Sequence, residues 1–159
     1  MTGLDVLRRC AAYEGEMERL RQQYALAMDA ATRVSPVLGK DGGRTEGAGS
    51  KAERFVVKAD WLERRMIARR WLYAQDLDEA SRLLPQLETA PAEAIRLVMV
   101  SGHTVRMAAG EMRRSEDAVR ALLRRGRLQL AALRSPLDED PEYREQSGVW
   151  KTQRAPGLD

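Results

Sequence analysis

The sequence predicts an all-α protein: an N-terminal long helical hairpin of coiled-coil-like character, followed by a C-terminal helix-turn-helix domain. Three observations carry this. Two long stretches repeat apolar residues in alternating steps of three and four, the period of a helix that buries one seam. A later stretch, GHTVRMAAGEMRRSEDAVRALLRRGRLQLAAL (102–133), holds two helix-start signals one short helix apart. The composition, 43% hydrophobic and 32% charged with only 5% aromatic residues, suits a soluble helical chain better than one with a large aromatic core.

Residues 1–34 are expected to form the first long helix. Val6, Cys10, Tyr13, Met17, Leu20, Tyr24, Ala27, Ala31 and Val34 make its seam, and Glu14, Glu18, Arg19 and Arg21 keep the other faces wet. Such a seam accepts a partner helix from the same chain or from a second copy, so a homodimer through the heptad helices is one expectation. Cys10, a seam position, reads as a small buried hydrophobe. Residues 35–50 carry five glycines and one proline, and the backbone entropy of glycine makes them a flexible linker. The glycines lack the spacing of a phosphate-binding loop.

The second long helix is expected over 51–87. Phe55, Ala59, Leu62, Met66, Tyr73, Leu77, Ala80, Leu84 and Leu87 form its seam, Arg69 interrupts it, and Trp61 and Trp71 pack beside it. Two comparable helices joined by a flexible loop fold back most simply as an antiparallel pair. Pro85 closes the second helix.

Residues 91–134 are expected to be the helix-turn-helix domain. Pro91 suits a first helical turn, and a short apolar helix over 92–101 ends at Gly102. Thr104 caps the next helix, in which Met107, Ala108 and Met112 recur at helical spacing. Ser115 caps the last, with Glu116 and Asp117 in the first turn, where the helix dipole favours carboxylates. Val119, Leu122, Leu123, Gly126 and Leu130 form its buried stripe. Arg120, Arg124 and Arg127 then face outward. Residues 135–159 lose periodicity and turn acidic, the pattern of a mostly disordered tail in which Trp150 is out of place.

The net charge of +3 is small, but its distribution is informative. From Arg96 to Arg134 nine arginines stand against three acids, an excess of six positive charges. Residues 135–159 carry six acids against three bases. A positive field focused on one helical unit is the footprint of phosphate contact. A second helix presenting cations beside a tight turn is how a helix-turn-helix enters the major groove, so the expected partner is double-stranded DNA. Glu116, Asp117 and Arg120 are the base-contact candidates, because the N-terminal part of such a helix reads base edges. Arg113, Arg114, Arg124 and Arg127 are the phosphate-contact candidates.

Other functions have less support. His103 is the only histidine and Cys10 the only cysteine, in different segments, so no nucleophile–base pair assembles and catalytic residues are not expected. No motif calls for a metal or a cofactor, and a lone cysteine forms no internal disulfide. No run approaches the ~18 apolar residues that span a membrane. The N-terminus is amphipathic rather than signal-like, which makes the cytoplasm the expected location.

Over 102–133 the chain resembles sigma-70 region 4-type helix-turn-helix domains. The resemblance rests on Gly102 and Thr104, on Met107-Ala108 with Met112 and Ser115, on Ala118-Val119, and on the closing run from Arg124 to Leu128. It implies that Ser115 begins the recognition helix. The wider layout over roughly 13–134 is similar to phage-encoded sigma-like regulators of the ArpU/RinA late-activator type, which implies a bacterial host cell and a role in transcription. Family members commonly carry an aromatic residue before the glycine, where this chain has Ser101, and Gly110 lies inside the first motif helix. Nothing resembles the promoter-melting regions of a full sigma factor. Two rival readings stand beside this one. One is a protein-interaction module contacting RNA polymerase or another regulator. The other is a DNA-packaging accessory protein like a terminase small subunit, although such subunits usually place the DNA motif first.

Overall fold

A computed structural model of the chain describes residues 1–34 and 46–155. These residues are helical, with no strand among them. The helices are α1 (Gly3–Val34), α2 (Glu46–Leu83), α3 (Thr89–Ile95), α4 (Val105–Met112), α5 (Glu116–Ala132) and α6 (Pro141–Lys151). Single 3₁₀ turns occupy Leu84–Gln86 and Leu137–Glu139, and a π-helical turn, Arg96–Val100, continues α3.

Most of the linker expected over 35–50 lies outside the described residues. Its end does not: α2 already begins at Glu46, within the segment assigned to the linker. Extending an existing helix adds one hydrogen bond per residue fixed, which favours backward growth from Lys51. The 3₁₀ turn at the other end holds Pro85, which has no N–H to continue an α-helical ladder.

Two compact units divide the chain. The first consists of Met1–Glu14 and Trp71–Arg144, the second of Gly15–Arg70 and Glu145–Asp159. The expected helix-turn-helix segment, 91–134, lies within the first unit, together with the start of α1 and the end of α2. In its core Val6, Leu7 and Cys10 of α1 and Ala80 and Leu83 of α2 join Ile95, Leu97, Ala108, Val119, Leu123 and Leu130. Three short helices have too little apolar surface to be self-sufficient, and the long helices supply the rest.

α1 is started by a reciprocal cap. The Asp5 N–H donates to the Thr2 hydroxyl at 3.2 Å, while the Thr2 N–H donates to the Asp5 carboxylate at 2.9 Å. The Gly3 N–H donates to the Leu133 carbonyl at 2.8 Å and the Ser135 N–H to the Met1 carbonyl at 2.9 Å, tying α1 to the end of α5. Within this unit α1 and α2 run antiparallel: Tyr13 stacks on Tyr73 with ring centres 3.8 Å apart, and Arg9 meets Asp76 at 3.1 Å.

In the second unit Met17, Leu20 and Ala27 of α1 and Ala59, Leu62 and Met66 of α2 are buried. Arg69, the interruption in the α2 seam, is only 1% exposed and donates to Glu16 at 2.6 Å. A charge at a seam position is admissible because a half-buried carboxylate pairs with it.

The expected disordered tail is corrected over its described part. Residues 137–139 and 141–151 are helical, and Tyr143, Ser135 and Ser147 are buried. Tyr143 supplies the anchor in the first unit: its hydroxyl donates to Asp76, and its ring lies 6.4 Å from Trp71. Trp150 supplies it in the second, where Arg65 and Arg69 lie against its ring. A few long-range anchors thus order a segment whose own pattern is mostly polar.

Candidate nucleic-acid interface

α4, the turn after it and α5 form the surface to which the sequence assigned DNA contact. The Thr104 hydroxyl accepts from the Met107 N–H at 3.2 Å, satisfying one of the unpaired donors that open α4. α4 buries Ala108 and Ala109, with Val105 and Met112 packed beside them. Met107, assigned to the apolar repeat, is instead 54% exposed, because an eight-residue helix lying on a core covers a narrow stripe and Ala109 takes the inward place.

The helix ends on a left-handed residue that is not glycine: Arg113 has φ 53° and ψ 45°. The Arg114 N–H reaches the Ala109 carbonyl at 3.0 Å and the Arg113 N–H the Gly110 carbonyl at 3.3 Å, the paired bonds of a Schellman end. Ser115 follows at once, and its hydroxyl accepts from the Ala118 N–H at 3.1 Å to start α5. Only three residues, 113–115, separate the helices. Gly102, with φ 72°, makes the equivalent reversal before α4.

α5 buries Val119, Leu123, Gly126 and Leu130 and packs against α3 and α4. A Cβ at Gly126 would stand 2.7 Å from Ile95 Cγ1 and 3.3 Å from the Pro91 carbonyl oxygen, so glycine is what lets α5 approach α3 this closely. That packing sets which α5 residues point away. At 100° per residue Glu116, Arg120, Arg124 and Arg127 fall within a quarter-turn of one another, and all four are exposed.

The structure separates the candidates by their partners. Arg120 is held by the two carboxylates one turn before it, Asp117 at 3.0 Å and Glu116 at 3.3 Å, so the three base-contact candidates form one exposed cluster. Arg113, Arg114, Arg124 and Arg127 are exposed and make no ion pair among the described residues. Arg125 meets Glu88 at 2.8 Å, and Arg134 meets Glu139. The sequence assigned no role to Arg106, which stands exposed in the first turn of α4. Its signal was present in the local arginine excess, but fixing its direction required knowing which α4 face is buried. His103 Nε2 lies 3.1 Å from Glu111 Oε1. Among the described residues no cluster of three or more His, Cys, Asp or Glu side chains is placed to hold a metal ion. No helix there is long and apolar enough to cross a membrane.

Comparison with protein-family models, with curated proteins and with solved structures finds no match.

Proposed function

We propose that the chain is a sequence-specific DNA-binding transcriptional regulator of phage type, in which α4, the turn at 113–115 and α5 act as a sigma-70 region 4-like helix-turn-helix. The wider layout is then a long helical hairpin, α1 with α2, ahead of this reading head. The observation that carries the reading is a set of four exposed guanidinium groups, Arg113, Arg114, Arg124 and Arg127, that no acid of the described chain neutralises. Exposed cations beside a tight turn suit a duplex backbone, whose phosphates match the guanidinium fork. α5 enters the major groove with its Ser115 end leading. Arg120, with Glu116 and Asp117 around it, faces base edges, and the four arginines set the register. The role is one of binding, without catalysis or cofactor.

The experiment is a duplex-binding titration across a salt series. Log affinity falls against log salt with a slope of about −0.9 for each phosphate contacted. A variant with Arg113, Arg114, Arg124 and Arg127 all changed to Gln should lose most of that slope and most of the affinity at low salt. Equal binding by wild type and variant refutes the reading.

A second reading, contact with RNA polymerase or another regulator, draws on Leu128 and Met107. They are 74% and 54% exposed on the two helices concerned, and apolar side chains among arginines serve a protein partner better than a phosphate backbone. Copurification with polymerase that survives the arginine variant but not Leu128→Asp would favour it.

A further inference from the structure

In the unit formed by Gly15–Arg70 and Glu145–Asp159, Arg65 lies between two indoles. Its guanidinium carbon is 4.8 Å from the centre of the Trp61 ring and 4.9 Å from that of Trp150. Its Nε–H donates to the Trp150 carbonyl at 3.1 Å. The side chain is half-buried, and burial pushes its pKa below the usual guanidinium value. Yet among the described residues no carboxylate lies within ion-pair distance of it. Its neighbours along α2 do have acids: Arg64 meets Asp60 at 3.1 Å, and Arg69 meets Glu16 at 2.6 Å. A partly desolvated cation without a counter-ion is unfavourable, and indole faces offset that only in part.

Arg65 and Trp150 line a groove of about 310 Å³ together with Glu16, Arg19 and Gln23 of α1. The α1 positions are three and four apart, so they share one face of the helix. Arg19 is exposed and, like Arg65, makes no ion pair among the described residues. Among the described residues Glu16 is the one acid lining the groove, and Arg69 already engages it. Two guanidinium groups that make no ion pair among the described residues thus border one concave space.

We propose that this groove binds a phosphate-type oxyanion between the guanidinium groups of Arg65 and Arg19, with the Gln23 amide as a further donor. Guanidinium forks match the oxygens of a phosphate. The volume exceeds that of inorganic phosphate and leaves room for an attached group beside Trp150. Two sources share this chemistry, a free phosphate or phosphate monoester and the backbone of a nucleic acid. The site is independent of α5.

The test uses the full chain at constant ionic strength, titrated with inorganic phosphate in exchange for chloride and followed by calorimetry and tryptophan fluorescence. Saturable binding is expected. Arg19→Gln should weaken it about tenfold, the effect of losing one charge-assisted hydrogen bond. Arg21→Gln should leave it unchanged, since Arg21 pairs with Glu18 at 3.8 Å and does not line the groove. Arg65→Gln should abolish binding, with its helicity checked by circular dichroism. Arg19, being exposed, keeps the test decisive if the Arg65 variant unfolds. Tighter binding of a short single-stranded oligonucleotide with the same Arg19 dependence identifies a nucleic-acid source. Binding of phosphate and a monoester but not the oligonucleotide identifies a free one. Absence of saturation with all three, or equal affinity in wild type and Arg19→Gln, overturns the proposal. Loss of duplex binding in α5 variants leaves the result untouched, so this site and the α5 reading fail separately.

Discussion

The Tyr143 hydroxyl donates to Asp76 Oδ1 at 2.6 Å, with Tyr143 2% and Asp76 0% exposed. Arg9 Nε–H donates to the other carboxylate oxygen at 3.1 Å, and the Arg9 guanidinium lies 5.2 Å from the centre of the Tyr143 ring. One buried carboxylate therefore joins α1, α2 and α6. Ionised groups persist in an interior only when their hydrogen-bonding capacity is met, so α6 is part of what makes Asp76 tolerable. Tyr143→Phe keeps the ring against Trp71 but removes the donor. It should lower stability by about 1–3 kcal/mol, the effect of leaving a buried acceptor short of a partner. Urea denaturation measures this, and an unchanged midpoint would show that water or Arg9 compensates.

What could be read from the sequence was local. The α1 seam from Val6 to Ala27 and the hydroxyls of Thr104 and Ser115 depend on neighbours within one or two turns, so spacing and residue type were sufficient. The Thr2–Asp5 cap is equally local, three residues from end to end. α6 was not legible, since its anchors reach Asp76 and Arg65 across 67 and 85 positions. Arg69 interrupts the α2 seam in the sequence, and the partner that accommodates it, Glu16, lies 53 positions away. At the candidate interface the residue types were legible, but their pairing was not: Arg120 is held by its own neighbours, whereas Arg124 and Arg127 are not.

Two glycines of the same unit should respond to alanine with opposite signs. At Gly126 the new Cβ would meet Ile95 Cγ1 at 2.7 Å, and Ile95 is fully buried with a branched, stiff side chain. Overpacking of this kind costs about 1–3 kcal/mol, more than the ~1 kcal/mol that alanine returns in helix propensity. At Gly110 a Cβ meets nothing within 4 Å, so Gly110→Ala should stabilise by about 0.5–1 kcal/mol. Thermal melts of the two variants decide it, and a shift of the same sign in both would contradict the α3–α5 contact.

Acid should destabilise the first unit through identifiable carboxyls. The Arg82 guanidinium, with the Ser135 hydroxyl, holds the Glu79 carboxyl below its usual value, and the Thr2 hydroxyl and N–H do the same for Asp5. A carboxyl with a depressed folded pKa adds stability above its unfolded pKa, and that stability is lost as the pH falls through the folded value. Unfolding midpoints should therefore hold steady near neutrality and decline below about pH 5. Glu79→Gln should be less stable than wild type at pH 7 and show a shallower acid decline, measurable by denaturation at several pH values.

Arg113 should trade stability against binding. Its left-handed backbone costs an ordinary residue about 1 kcal/mol and costs glycine little. Arg113→Gly is expected to raise the melting temperature while reducing the salt slope of duplex binding by about one phosphate. A variant that melts higher with an unchanged slope would place Arg113 off the backbone contact.

Specificity should separate from affinity along α5. Arg120 and its two carboxylates are all exposed, so breaking those pairs costs folding little, about 0–1 kcal/mol. Its removal should appear instead in base preference. In a selection from randomised duplexes, Arg120→Ala is expected to relax the choice at one base pair by about 1–3 kcal/mol. Arg124→Ala and Arg127→Ala should weaken every selected sequence alike. Glu116 and Asp117 constrain the guanidinium from one side, so their joint change to Gln and Asn should broaden the preference while leaving affinity for the best site within a few-fold. If all four variants weaken all sequences equally, α5 contributes charge without reading bases, and specificity lies elsewhere in the chain.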